Sequence, residues 1–322
     1  MGRKQGCASL SWVVVLGLAG ALNASANVQA QQIVPDTSLP VNSAVTVNGN
    51  NFTINGGTQA GGNLFHSFSE FSVPTNGSAF FNNAQTIQNI ISRVTGSSVS
   101  NIDGILGANG TANLFLLNKN GIVFGPNASL NVGGSFVATT ANAIQFGNQG
   151  FFSASNPNNP ALLTVNPDAL FFNQIAAASN PNISTTATNL SVRDGQGLFL
   201  VGGNISIDSG RLNAFGGRVE LGGLAELGTV GLNLSGNDLS LSFPEGVQRS
   251  DVSLTNGAIV DVSANGGNIA INAAKVMVSG GANLIAHTFG QGNAGNIAIA
   301  ASDDISINGN NTALSSQVFP DA

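Results

Sequence analysis

Residues Leu116–Phe136 read LLNKNGIVFGPNASLNVGGSF. Three short apolar runs are separated by Asn120-Gly121, Gly125-Pro126-Asn127 and Gly133-Gly134. These breaks turn the chain for separate reasons: Gly takes positive φ, Pro presets φ, and Asn tolerates the left-handed region. Strand, turn, strand, turn, strand, with Lys119 the only charged residue between Asp103 and Asp168, is the rhythm of a stacked β-solenoid.

The rhythm extends in both directions. Upstream, SAVTVNG, NFTINGG and GGNLFHSFSEFSV follow an extended lead-in at Gln31–Pro40, with Val45, Val47, Phe52 and Ile54 alternating with polar residues at period two. Ala79–Phe81 begins another strand, and Ile102–Gly110 reads as a glycine-rich turn region. Ala84–Val94 (AQTIQNIISRV) fits one or two helical turns and equally fits a strand. Residues Asn156–Asn182 carry three Asn-Pro steps and read as a looped excursion, with Leu170-Phe171-Phe172 packed on the core.

Beyond Val192 one phrase recurs: Gly203-Asn204-Ile205-Ser206-Ile207, Gly267-Asn268-Ile269-Ala270-Ile271 and Gly295-Asn296-Ile297-Ala298-Ile299, with a weaker copy at Gly217–Leu221. The last two copies are 28 residues apart, and the earlier gap of 64 is expected to hold about three coils. Such a unit cannot bury its apolar face alone; stacking places Ile over Ile and pairs each strand with the coils on either side. Each Ile so buried stabilises by about 1.5–3 kcal/mol. The irregular strands of Val41–Val73 are candidates to cap the first edge, whereas Gly295–Ala322 stops without a recognisable cap, so the reading expects a longer chain continuing past Ala322.

The first thirty residues have the form of a leader. Arg3 and Lys4 precede an apolar core, Trp12–Leu22, that is too short to span a membrane. Two small-x-small sites follow, Ala24-Ser25-Ala26 and Val28-Gln29-Ala30; cleavage is expected after Ala30, leaving Gln31 first. Cys7, the only cysteine, lies inside this leader, so the exported chain must hold itself by burial and backbone hydrogen bonds rather than disulfides.

Charged residues are 7% of the chain against about 25% in ordinary soluble domains, and the formal charge of −6 includes no basic cluster. That composition disfavours nucleic acid and anionic lipid as partners, since both are bound by clustered Lys and Arg. Forty-two Gly, no Tyr and few Glu, Lys or Arg disfavour helices.

At this point the chain resembles the N-terminal secretion domain of filamentous-haemagglutinin-type exoproteins, the secreted members of two-partner secretion systems. The residues that carry the likeness are Ile90–Gly96 (IISRVTG), Ile102-Asp103-Gly104, Leu114–Leu117, Asn118–Ile122, Val132–Phe136, Leu170–Ile175, and VGGNISI and GGRVELGGLA within Val201–Ala225. Lys119 stands where the family's Asn-Pro-Asn-Gly-Ile motif has its proline. The family's Asn-Pro-Asn-Leu motif is absent, and Phe81-Asn82-Asn83-Ala84 lies about where it would be.

The resemblance implies an all-β fold: a right-handed parallel β-helix with N-terminal capping and extra-helical strands. It divides the chain into a signal peptide (1–30), a secretion domain (31–230) and the start of a repeat shaft (231–322). It implies a cognate outer-membrane β-barrel transporter with periplasmic docking domains. The transporter would read the domain, which would cross largely unfolded and fold at the cell surface or in the extracellular space.

Asn118, Lys119, Asn120, Gly121 and Ile122 are the candidates for that recognition, although the same residues suit a turn that merely shapes the domain. A host-cell or surface glycan or protein is a further candidate partner.

Nothing in the sequence assembles an active site, a metal site or a cofactor site. His66 and His287 are isolated, and Asp303-Asp304 reads as a solvated turn. No Gly-x-Ser-x-Gly elbow, phosphate loop or His-Glu-x-x-His is present. The Phe pairs at 80–81, 151–152 and 171–172 could stack sugars, or place one ring in the core and the other over a loop. The expectation is a non-enzymatic adhesin or surface structural protein. The alternatives are a parallel β-helix polysaccharide lyase or hydrolase, for which fifteen scattered acids are a poor start, or the stalk of a contact-delivered toxin.

Overall fold

The structure, a computed structural model, describes residues 1–2, 32–157, 163–173, 182–235 and 238–319. The leader, its cleavage site at Ala30 and Gln31, and Cys7 lie outside the described residues, except for Met1 and Gly2.

From Ile33 onward the chain winds as a right-handed parallel β-helix. Its first face stacks Asn63–Phe71, Asn89–Val94, Asn113–Asn118, Phe136–Thr139, Gly197–Gly202 and Arg218–Gly223 in parallel, followed by Asn268–Ser279 and Asn296–Asn308. The second face stacks Ser100–Ile102, Ile122–Phe124, Ile183–Thr185, Ile205–Asp208 and Val252–Thr255. The two faces become one sheet because Asn268–Ser279 turns the corner: its first half pairs with Arg218–Gly223 and its second half with Val252–Thr255. Shorter strands build the third side, from Asn51–Gly56 to Ser129–Asn131 and then from Leu190–Ser191 to Ala313–Ser315.

Two antiparallel pairings close the N-terminal end. Ile33–Pro35 lies along Asn63–Phe71, and Ser43–Asn48 along Asn51–Gly56. Both cover edges that would otherwise template another chain. A second, antiparallel sheet stands outside the helix, in the order Gly150–Ser153, Ala143–Phe146, Ala169–Phe172, Gly228–Ser235, Asp238–Ser242.

This outer sheet explains why the first-face strands are apolar on both sides. In Asn113–Asn118 (NLFLLN), Leu114 and Leu116 point into the helix, while Phe115 and Leu117 point outward into a second core with Ile144, Phe146, Phe152 and Leu170. A strand covered on both faces reads as a continuous apolar run, whereas a half-covered strand alternates.

Polar ladders pin the register. Asn89 donates from Nδ2 to Asn63 Oδ1 at 2.9 Å, 26 residues away. Asn113 donates to Asn89 Oδ1 at 3.0 Å, 24 residues on. The ladder ends where Ser135 N–H meets Asn113 Oδ1 at 2.9 Å.

The structure sharpens several expectations and corrects others. Ala84–Val94 resolves to a strand, Asn89–Val94, because its alternate residues fill both cores. Ile102–Gly110 is not only turn: it completes Ser100–Ile102 and carries Ile105–Ala108. The excursion at 156–182 packs on the core as expected, with Leu170 and Phe172 buried in the second core, and it does so as a strand, Ala169–Phe172. Asp303 and Asp304 are exposed, but they sit within the strand Asn296–Asn308 rather than in a turn. They occupy its corner, where the register against Asn268–Ser279 shifts between Ala273 and Lys275.

The recurring phrase is also corrected. Gly203–Ile207 is not stacked on Gly267–Ile271; Ile205 pairs with Val252, and Val252 with Val276, all on the second face. The first-face predecessor of Ile269 is Val219, in the weaker copy at Gly217–Leu221. The gap of 64 therefore does not hold three simple coils; it crosses from one face to another and includes the outer hairpin of Gly228–Ser235 and Asp238–Ser242.

Candidate functional site

The candidate recognition segment sits at the corner between the first and second faces. Asn118 ends the strand Asn113–Asn118 and is fully buried. Its Nδ2 donates to Ser98 O at 3.0 Å and to Ser100 Oγ at 2.9 Å. Its Oδ1 accepts from Asn120 N–H and from Asn120 Nδ2, each at 3.0 Å, so an Asx-type turn folds the corner on itself.

Asn120 Nδ2 also donates to Gly96 O at 2.8 Å, and Lys119 Nζ donates to the same carbonyl at 3.0 Å. Partial burial lowers the Lys119 ammonium below its ordinary range. Gly121 has φ +123°, a conformation open to Gly and strained for other residues, and its N–H closes the turn on Asn118 O at 3.1 Å. Ile122 is buried in the helix, and its N–H reaches Asn182 O at 3.1 Å in the following coil.

The five residues thus form one unit: Asn118, Gly121 and Ile122 are buried, while Lys119 and Asn120 are half-exposed and lay their polar ends along the neighbouring backbone. They stitch the corner at Gly96–Ser100 on one side and Asn182 on the other. Lys119 supplies by its ammonium a contact to the neighbouring coil that a proline could not make. At Phe81–Ala84 a second amide cluster appears: Asn82 bonds Asn55 at 2.8 Å, Asn109 bonds Asn82 at 3.1 Å, and Asn83 Oδ1 accepts from Asn109 N–H.

Sequence reading quoted Arg93 only inside a motif and missed what it does. It is 1% exposed, the largest fully buried side chain among the described residues. Nε donates to Ser67 Oγ at 2.8 Å, Nη1 to Ser153 O at 2.8 Å, and Nη2 to Ser38 Oγ at 2.9 Å and Pro157 O at 3.0 Å. The guanidinium lies 4.1 Å from the Phe152 ring centroid. Burial pulls its pKa down to about 10, against the opposing charge of Asp36.

Asp36 completes the cluster, accepting from Ser38 at one carboxylate oxygen and from Ser67 and Thr95 at the other, 2.7 Å each. Burial raises the Asp36 carboxyl, but the hydrogen bonds from Ser38, Thr95 and Ser67 together hold it below its usual value. One side chain therefore joins the lead-in, the first coil and the outer sheet. The available signal was a lone cation inside an apolar run, since an unpaired Arg is almost never fully buried.

The remaining candidates separate. His66 is buried, with Nδ1 3.0 Å from Ser43 Oγ and Nε2 without a partner. Burial pulls its pKa down to about 3. His287 lies far along the helix against Ser315. Among the described residues no three His, Cys, Asp or Glu gather as metal ligands. Each Phe pair has one buried ring, at Phe81, Phe152 and Phe172, while the outward Phe151 and Phe171 rest 5.1 Å apart between centroids.

The solved secretion domain of HMW1 from Haemophilus influenzae has this fold, with a TM-score of 0.65, 22% identity, and coverage of 89% of this chain and 67% of that one. A solved filamentous hemagglutinin secretion domain aligns with a TM-score of 0.43 and 17% identity over 86% of this chain and 99% of that one. No curated protein sequence gives a significant match. Residues 31–271 match the family model described as the TPS secretion domain, and the chain belongs to that family, whose members are exported by two-partner secretion to the cell surface or extracellular space.

Proposed function

We propose that the chain is a non-enzymatic exoprotein whose N-terminal domain is read in its extended form by a cognate outer-membrane β-barrel transporter with periplasmic docking domains. Asn118, Lys119, Asn120, Gly121 and Ile122 are the residues read, and their second role is to start the β-helix outside the cell. The observation that carries this reading is the commitment of the segment's amides: those of Asn118 and Asn120 are spent on Ser98, Ser100 and Gly96. Groups committed in the fold are available to a partner only before folding. Folding then hides them and releases the transporter.

In this reading residues 31–230 are the secretion domain and 231–322 begin a shaft. The outermost first-face strand, Asn296–Asn308, supports it: Ile297 and Ile299 are only partly covered, and Ile305 and Ile307 are 46% exposed. Such an edge offers unpaired backbone groups and aliphatic columns to a further coil. The shaft would serve adhesion or surface structure.

A photo-reactive side chain placed at position 119 tests the reading. With the chain held unfolded in urea and then diluted onto the transporter's periplasmic domains, cross-linking is expected; with the folded domain, none. Equal capture of the folded and unfolded forms, or capture of neither, would overturn it.

A further inference from the structure

A groove of about 630 Å³ runs across the corner that precedes the first face. It crosses four successive coils, from Gln85 and Gln88 through Thr111 and Gly133 to Gln196, and is walled by Leu234 of the outer sheet and by Asn166, in the loop ahead of the strand Ala169–Phe172. Rungs stack at about 4.8 Å, so the groove is on the order of 14 Å long and lies along the helix axis.

Its chemistry is uniform. Among the described residues no ionisable side chain lines it. The floor is fixed, because Asn89 and Asn113 spend their amides on the ladder, and Asn89 also donates to Asn166 Oδ1 at 3.1 Å. Above that floor the side chains of Gln85, Gln88, Thr111 and Gln196 hydrogen-bond no other described residue. Amides and hydroxyls both donate and accept. Leu234 adds one half-buried apolar surface.

We propose that this groove binds a neutral, linear oligosaccharide. Sugar hydroxyls both donate and accept, as the free Gln and Thr groups do, and the CH face of a ring suits Leu234. A charged ligand would lose hydration without meeting an opposite charge. Strand addition by a peptide is disfavoured, because the local backbone is already paired: Gln88 N–H with Gly62 O and Asn113 N–H with Gln88 O, 2.8 Å each. The site belongs to the folded domain and is independent of how the chain is exported.

The test is calorimetric titration of the folded, exported chain with cellohexaose, xylohexaose and maltohexaose, with heparin hexasaccharide as the charged comparison. At least one neutral hexaose is expected to bind with a Kd on the order of 1 mM or tighter. The double substitution Gln88→Ala with Gln196→Ala should weaken it at least fivefold, and Thr111→Trp, which fills the groove, should abolish it. These side chains are exposed or half-exposed, so the thermal midpoint should stay unchanged; either variant alone suffices if the other misfolds. The proposal is overturned if no neutral hexaose binds by 10 mM, if binding survives the variants, or if the heparin fragment binds more tightly.

Discussion

Arg93 shows how far one residue can reach. Its four hydrogen bonds tie Ser38, Ser67, Ser153 and Pro157, which belong to three different parts of the chain. Replacing it leaves two carbonyls and the Asp36 carboxylate without their cation. Arg93→Ala should therefore cost about 3–5 kcal/mol, read as a lowered urea midpoint, and Arg93→Lys should recover only a fraction, because an ammonium lacks the planar fork.

His66 gives the second prediction at this scale. Its folded pKa of about 3 lies below its unfolded value near 6.5, so the unfolded chain binds the proton first. Stability should be complete above about pH 6.5 and fall as pH drops from there towards 3, and His66→Asn should flatten that slope in denaturation curves taken at several pH values. A different slope belongs to Asp36, whose lowered pKa adds stability that is lost only as pH falls through the acidic range below about 4. Neither residue's role was legible in the sequence. The partners of Arg93 lie 26, 55, 60 and 64 residues away, and spacing along a chain carries no information about contacts at that separation.

Among elements, the recurring Gly-Asn-Ile phrase has a steric cause. A Cβ on Gly217 would stand 2.0 Å from Gln196 O, and one on Gly295 1.8 Å from Gly267 O, each belonging to the preceding rung. The glycine is where one coil's backbone passes closest to the next. Gly217→Ala should push these rungs apart and lower the thermal midpoint clearly, whereas Gly246→Ala, with open space around it and a positive φ, should cost only about 1 kcal/mol.

The presence of these strands and the inward direction of their isoleucines were legible from period-two patterning alone. Their phase was not. Ile205 and Ile269 carry the same local sequence on different faces, because the outer hairpin at Gly228–Ser242 consumes residues without advancing the coil. At the candidate segment the turn at Asn120-Gly121 was legible, whereas the commitment of its amides to Ser98 and Gly96 depends on which coil lies beside it.

Across the whole molecule, aliphatic columns inside the helix and a second core under the outer sheet replace the disulfides that an exported chain often uses. Contacts between neighbouring coils dominate this order, which suits a chain that emerges progressively and adds each coil to the last. The N-terminal end is closed by antiparallel pairings, whereas the strand Asn296–Asn308 is only half-covered. Removal of residues 31–60 should therefore yield a chain that aggregates on refolding, checked by light scattering, because it uncovers the first edge.

The account stands most directly on export from cells. Fused to a reporter and expressed with and without its transporter, the chain is expected in the medium only when the transporter is present, and Asn118→Ala with Asn120→Ala should keep it in the periplasm. Equal amounts outside the cell in both strains would contradict the account.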